Sequence, residues 1–399
     1  MQQLGNIHQI KAIVIVVIIL GMSPAVNASK ALPLDNLQMP EGFTISIFAE
    51  VDNPRQLAID NAGVVYAGSR RGGKVHAIAD LDGDGIADVV KVVAKGLSMP
   101  SGIAIRDNQL YVAAVNSILR SESLGDILKK TPTFTTIYQG FPKDRHHGWK
   151  FIDFGPDGLL YVPVGAPCNV CLKENPVYAS IQTLDVDAKG AVPKLHAAGV
   201  RNSVGFTWHP ETAALWFTDN GRDQLGDESP PCELNIAAAP GGHYGYPFIH
   251  GDDVLDPKFG DQIPGHPFIP PALSLGPHVA PLGIAFAPEG NFPSAYRHQL
   301  FIAEHGSWNR SRSAGHTGHR ITLARSEPPE EGNKAKKLSY EVFIEGWLNN
   351  NRAWGRPVDL LFHPDGSLLI SDDHANVIYR VIYRAPNTSA LSSAEGVAQ

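Results

Sequence analysis

One short pattern returns six times along the chain: an apolar residue, a turn built of Pro, Asp, Asn or Gly, and then an alternating apolar strand. It reads IDNAGVVYAGS from Ile59, IRDNQLYVAAV from Ile105, FGPDGLLYVPVG from Phe154, WHPETAALWFTDNG from Trp208, FAPEGNFPSAYRHQLFIAEHG from Phe286 and FHPDGSLLISDD from Phe362. Successive starts lie 46, 49, 54, 78 and 76 residues apart, always room for about four short strands. A hairpin of this kind cannot bury both of its faces alone. Closing six such units into a ring covers the faces and leaves only short, protected edges. The expectation is therefore an all-β, six-bladed β-propeller over residues 29–384, against the plainer alternative of ordinary hairpins in a sandwich. The 39 Gly and 31 Pro, well above the roughly 12% of average usage, supply the turns such a ring demands.

The two long intervals imply insertions, the Pro- and Gly-rich stretch 251–276 and the stretch from Ser311 towards Gly355, and substrate choice is expected to reside there. At the N-terminus, Ala12 to Met22 is an apolar run too short to span a bilayer comfortably, followed by Val26 and Ala28 at positions −3 and −1 of a cleavage site. Residues 1–28 read as a signal peptide, with an uncleaved anchor as the alternative. The mature chain is expected in the periplasm or outside the cell, with no stable membrane insertion and with a disordered polar tail over 385–399. A net charge of −7 without a basic run argues against nucleic acid as a partner.

An oxidising compartment shifts Cys168-x-x-Cys171 from metal binding towards a disulfide. A local bridge leads; a bridge from either cysteine to Cys232, or free thiols, stay open. Separately, DLDGDGIAD places Asp80, Asp82, Asp84 and Asp88 at positions 1, 3, 5 and 9 of a calcium loop, with Gly85 at position 6 and the Ile86 carbonyl at 7. Position 12 is Lys91 rather than Glu, so this is no complete EF-hand, and any calcium here stabilises rather than catalyses; the alternative is a plain Asp/Gly turn.

Polar clusters flank the repeats at equivalent positions: DRHHGWKF, GVRNSVGF, DNGRD, EHGSWNRSR, NNNRAWGRPVD and SDDHAN. With the blades in register they gather His146, His147, Lys150, Arg201, Asn202, Arg222, His305, Arg310, Arg356 and His374 at one mouth of the ring. Several arginines around one cavity suit a polyanionic small ligand, and a histidine supplies a general base.

The succession HHGWKFIDFGPDG, VPVGAPCNVC, GVRNSVGFTWHPETAALWFTDNGRD, GGHYGYP, FIAEHGSWNRS and GRPVDLLFHPDGSLLISDD resembles the soluble pyrroloquinoline quinone (PQQ)-dependent glucose/sorbosone dehydrogenases, from about Gly42 to Tyr383. The resemblance implies a quinoprotein that oxidises the C1 hydroxyl of aldoses, or an aldehyde such as sorbosone, by hydride transfer to PQQ; it does not identify the sugar or the electron acceptor. It implies His147 as the catalytic base, with His146 as the alternative, and Arg201, Asn202 and Arg356 as cofactor contacts. It places a PQQ-bridging Ca²⁺ on the carbonyls of Gly221 and Arg222, and a second Ca²⁺ on Glu233 and the Tyr244 carbonyl. Three positions depart from the pattern: Ala166 stands where a carboxylate orients the histidine, Gly306 where a lysine holds the cofactor, and Val358 where a second arginine does. The rival functions are a calcium-dependent lactonase-type hydrolase, which needs carboxylates converging on the channel, and a non-enzymatic binding propeller.

Overall fold

The structure, a computed structural model, describes residues 31–265, 267–290, 292–326 and 338–386. The signal peptide expected at 1–28 lies outside them, as does all but the first two residues of the tail expected at 385–399. From Leu34 onward the chain forms one compact unit. Five four-stranded sheets and one five-stranded sheet make the six blades, their strands following the chain from the centre outward except in the last, whose outer strand is the chain's first.

The first two strands of the blades are Pro54–Ile59 with Val65–Ser69, Gly102–Arg106 with Gln109–Ala113, Asp153–Phe154 with Leu160–Val164, Phe206–Trp208 with Leu215–Asp219, Pro281–Phe286 with Leu300–Glu304, and Pro357–Phe362 with Leu368–Asp372. Each repeat found in the sequence is the hairpin joining one such pair. The turns are built as the residues dictate: Gly158 and Gly366 take φ of +79° and +84°, the left-handed region that only glycine enters cheaply. Asp157 binds the Leu159 N–H and accepts from the Tyr161 hydroxyl, and Asp60 does the same for Val64 and Tyr66.

The core lies between blades rather than within them. Tyr66, Val75 and Ile103 fill the layer between blades 1 and 2, Tyr111, Leu160 and Val162 that between 2 and 3, and Ile181, Phe206 and Phe217 that between 3 and 4. Between blades 5 and 6, Phe292, Phe301, Phe343 and Phe362 meet edge to face around Phe43. A strand ahead of the first repeat closes the ring: Phe43–Glu50 pairs antiparallel with Val377–Tyr383 as the outer strand of blade 6. The Asp359 carboxylate accepts the Leu57 N–H at 2.7 Å and the Ser371 hydroxyl donates to the Arg55 carbonyl at 2.6 Å across the same seam.

The first long interval carries Gly242–His243, which joins the outer edge of blade 3 in parallel, and a small hairpin, Ile249–His250 with Val254–Leu255. In the second, the stretch 305–319 connects Leu300–Glu304 to Arg320–Ser326 within blade 5.

Candidate functional site

An antiparallel hairpin puts the start of its first strand and the end of its second at the same edge. Residues just before the inner strands (His147, Arg201, Asn202, Arg356) and just after the second strands (Arg70, Asn220, His305) therefore converge, and they border a cavity of about 450 Å³.

His147 is buried at its wall. Its Nδ1 lies 2.8 Å from the Ala166 carbonyl oxygen, which can only accept, so Nδ1 carries the proton and Nε2 keeps its lone pair. The Ala166 N–H in turn donates to the Arg201 carbonyl at 2.8 Å, so the strap that orients the imidazole is backbone throughout. Gly165 makes the fit possible: a Cβ there would stand 2.6 Å from the His147 Cβ. Burial first, and the charges of Arg201 and His146 second, push the His147 pKa down to about 2. In the free protein it is a neutral imidazole. His146 packs against it, ring centroids 4.1 Å apart, and also borders the cavity.

Arg201 is held rather than free. Its Nε–H donates to the Asn169 carbonyl (2.9 Å), Nη1 to the Asn220 carbonyl (3.0 Å), and Nη2 to the Asn169 Oδ1 (3.0 Å) and the Asp223 carboxylate (3.3 Å). Four of its five donors thus have protein partners, and its charge faces the cavity. Arg356 likewise gives two donors to the carbonyls of His305 and Gly306.

Three arginines at the cavity went unseen in the sequence. Arg55 is buried, ion-paired with Asp373 at 2.9 Å, and its Nε–H has no partner. Arg70 lies 3.8 Å over the Trp149 ring and makes no side-chain hydrogen bond among the described residues; burial, then the positive charge of Arg55, pulls its pKa down to about 10. Arg145 gives one donor to Ser98. Arg55 and Arg70 flank the first repeat just as Arg201 and Asn220 flank the fourth, so the same positional rule applied to blade 1 would have found them. Clustered cations with unfilled donors describe an anion site.

Other expected residues do not reach the cavity. Arg222 is turned away by its ion pair with Asp256, which also accepts from His250, so only Gly221 of the expected carbonyl pair borders the space. Lys150 is buried against Phe141 with its ammonium on the Gly148 carbonyl, Arg310 is tied to Asp227 and Glu228, and His374 lies outside the lining. Glu233 lies beside Asp219 in the blade 4 sheet; burial and that neighbouring carboxylate raise its pKa, and its oxygens accept from Gly251 and Asn235. In the loop of blade 1, oxygens of Asp80, Asp82 and Asp88 come within 4.8 Å of one another, whereas Asp84 stands apart and accepts the Ile86 N–H.

The three departures have physical replacements. The Ala166 carbonyl does the orienting. Gly306 leaves room for the ring of His319, which packs against its Cα. Val358 joins Leu282 and Val204 in an apolar cluster beneath the cavity, with Trp149 packed against it, where a guanidinium would have no acceptor. Cys168 and Cys171 form the disulfide, and Cys232 is a free buried thiol bordering the cavity.

Comparison with known proteins agrees with this architecture. A TrAA12-like family model matches residues 243–384. An uncharacterized protein of Borreliella burgdorferi is 35% identical over 361 residues, covering 87% of this chain and 91% of its own. The holo form of the pyranose dehydrogenase PQQ domain from Coprinopsis cinerea superposes with a TM-score of 0.71 at 18% identity, covering 87% of this chain and 97% of that one. The calcium structure of a Trichoderma reesei family AA12 carbohydrate-active enzyme does so with 0.68 at 19% identity, covering 87% and 97%. The glucose/sorbosone dehydrogenase family model matches residues 106–308, half of the chain, and the protein belongs to that family.

Proposed function

We propose that the protein is an exported quinoprotein that oxidises a sugar hydroxyl, the C1 hydroxyl of an aldose or a related aldehyde, with PQQ and Ca²⁺ held in the arginine-lined cavity. The observation that carries this is the pairing in one space of a neutral, oriented imidazole with unfilled cationic donors. PQQ is a planar quinone bearing carboxylates. The buried, unpartnered Nε–H of Arg55 and the unbonded guanidinium of Arg70 fit such a group, with Arg145, Arg356 and Asn202 beside them. When bound, PQQ supplies a hydride acceptor and Ca²⁺ a Lewis acid to polarise it, with the Gly221 carbonyl as a protein ligand.

The chain's own part is proton handling and positioning. His147 Nε2 accepts the substrate hydroxyl proton while Nδ1–H stays on the Ala166 carbonyl, which keeps the ring from turning. A pKa near 2 makes the free imidazole a weak base. An anion laid against Arg70 and Arg201 offsets the charges that depress it and brings it towards the working pH. A lactonase reading is disfavoured because the cavity's carboxylate, Asp223, is already engaged by Arg201 and Asn309.

The test adds PQQ and Ca²⁺ to purified protein and follows the quinone absorbance together with sugar-dependent dye reduction. Both signals are expected; absence of both in folded protein overturns the reading.

A further inference from the structure

Asn169 sits between the two bridged cysteines, and its main-chain carbonyl, its Oδ1 and one Nδ2–H are all directed at the cavity wall. Its main-chain carbonyl accepts from Arg201 Nε. Its Oδ1 accepts from Arg201 Nη2 and from the Asp223 N–H (2.8 Å), and its Nδ2 donates to the Asp223 carbonyl (3.0 Å). Asp223 in turn holds Arg201 through Oδ2 and Asn309 through Oδ1. One side chain thus holds two residues that border the cavity, Arg201 and Asp223, and through Asp223 a third, Asn309. From behind, the loop CNVC is held by the bridge and by Tyr246, whose hydroxyl accepts the Cys171 N–H at 2.9 Å and lies 3.6 Å from Cys168 Sγ, which as a disulfide sulfur can only accept. The loop is half-buried and borders a second cavity of about 140 Å³ through Cys171.

We propose that Asn169 is the positioning residue of Arg201 and that the Cys168–Cys171 disulfide is the clamp that holds it, so that the anion affinity of the cavity depends on the redox state of this loop. The proposal rests on the polyanion-binding reading above. Opening the bridge frees the backbone of Asn169; Arg201 then loses the acceptors of its Nε–H and one of its Nη2–H donors, and Asp223 loses both partners of its peptide group. In a reducing cytosol the loop stays open, and in an oxidising compartment it closes, which places loading of the anionic cofactor after export. Reduction with dithiothreitol balances directly: its two thiols give up two electrons and two protons and close to its cyclic disulfide, and Cys168 and Cys171 gain them as two thiols.

The experiment measures the dissociation constant for PQQ by quenching of tryptophan fluorescence, without sugar, in oxidised full-length protein and in full-length protein reduced with dithiothreitol and freed of it anaerobically before the quinone, which dithiols reduce, is added. It also records the Arg201 Nε–H resonance, assigned by its loss in Arg201→Lys, in ligand-free protein. Reduction is expected to weaken PQQ binding about tenfold or more, since contacts to a charged group are lost, and to shift or broaden the Nε–H signal while thermal unfolding remains cooperative. Cys168→Ser/Cys171→Ser and Asn169→Ala are expected to show the weakened affinity and to ignore dithiothreitol. Affinity within about twofold after reduction, in protein that binds PQQ when oxidised, overturns the clamp. Oxidised wild-type protein that binds no PQQ overturns the functional reading instead, and the Nε–H signal then decides the clamp alone: unchanged on reduction, it refutes it.

Discussion

The Nδ1 of His147 is 2.8 Å from the carbonyl oxygen of Ala166, a residue whose own side chain offers no acceptor. A backbone carbonyl fixes the tautomer as a carboxylate would, but adds no negative charge to stabilise an imidazolium. The first prediction follows from that difference. In ligand-free protein, ring-nitrogen NMR will show an Nδ1–H tautomer that does not titrate between pH 5 and 8, and PQQ will move the titration upward as the charge of Arg201 is offset. His147→Ala should retain PQQ binding and lose turnover by about 10²- to 10⁴-fold. Retained turnover transfers the base to His146.

Arg70 separates binding from folding. Its guanidinium stacks on Trp149 at 3.8 Å without a hydrogen bond among the described residues, so Arg70→Ala removes about 1–2 kcal/mol of cation–π stabilisation. If it contacts a cofactor carboxylate, the same change weakens PQQ binding by about tenfold or more. Titration calorimetry beside thermal melting checks the pair of outcomes; equal affinity in Arg70→Ala removes this arginine from the site.

Burial favours neutral imidazoles: it lowers His147 to about 2, His319 to about 3 and His305 to about 4, the last despite its Asp373 partner at 2.7 Å, and it also lowers His76, His196 and His250. In the unfolded chain each protonates near 6.5. Below that pH the unfolded state holds more protons, so stability falls as pH falls, by at most about 1.4 kcal/mol per pH unit for each ring down to its folded value. Buried carboxyl groups raised by burial, Glu233 to about 8 and Glu304 and Asp359 to about 7, act in the opposite sense, so the test is a difference: between pH 7 and pH 5 the guanidinium midpoint of His319→Gln should change less unfavourably than that of the wild type. The same pH dependence in His319→Gln and the wild type contradicts neutral burial of His319.

The ring of blades was legible because six hairpins carry the same turn chemistry, and Asp157-Gly158 or Asp365-Gly366 announces itself locally. The outer strand Phe43–Glu50 was not, because its partner, Val377–Tyr383, is more than three hundred residues away and no local signal encodes that pairing. At the site, position relative to the repeat placed His147, Arg201 and Arg356 at one mouth and could have placed Arg55 and Arg70. It failed for Arg222 and Arg310, whose direction depends on acidic partners, Asp256 and Glu228, that only the folded loops bring near. The carbonyl of Ala166 was beyond reach for a plainer reason: every residue has one, so sequence cannot mark the one that is used.

Gly306 shows how a missing side chain is compensated. It holds φ of +92°, and a Cβ built on it would lie 2.3 Å from the His319 ring. Restoring the lysine of related enzymes is therefore not a gain. Gly306→Lys must adopt a left-handed backbone and displace His319, costing about 2–5 kcal/mol from the backbone term and overpacking together. Removing the ring in Gly306→Lys/His319→Ala should recover the overpacking part and leave the backbone part. Chemical denaturation of the two variants and the wild type measures each share. Gly306→Lys as stable as the wild type would show that His319 can leave freely, and that the space beside the cavity is not already filled.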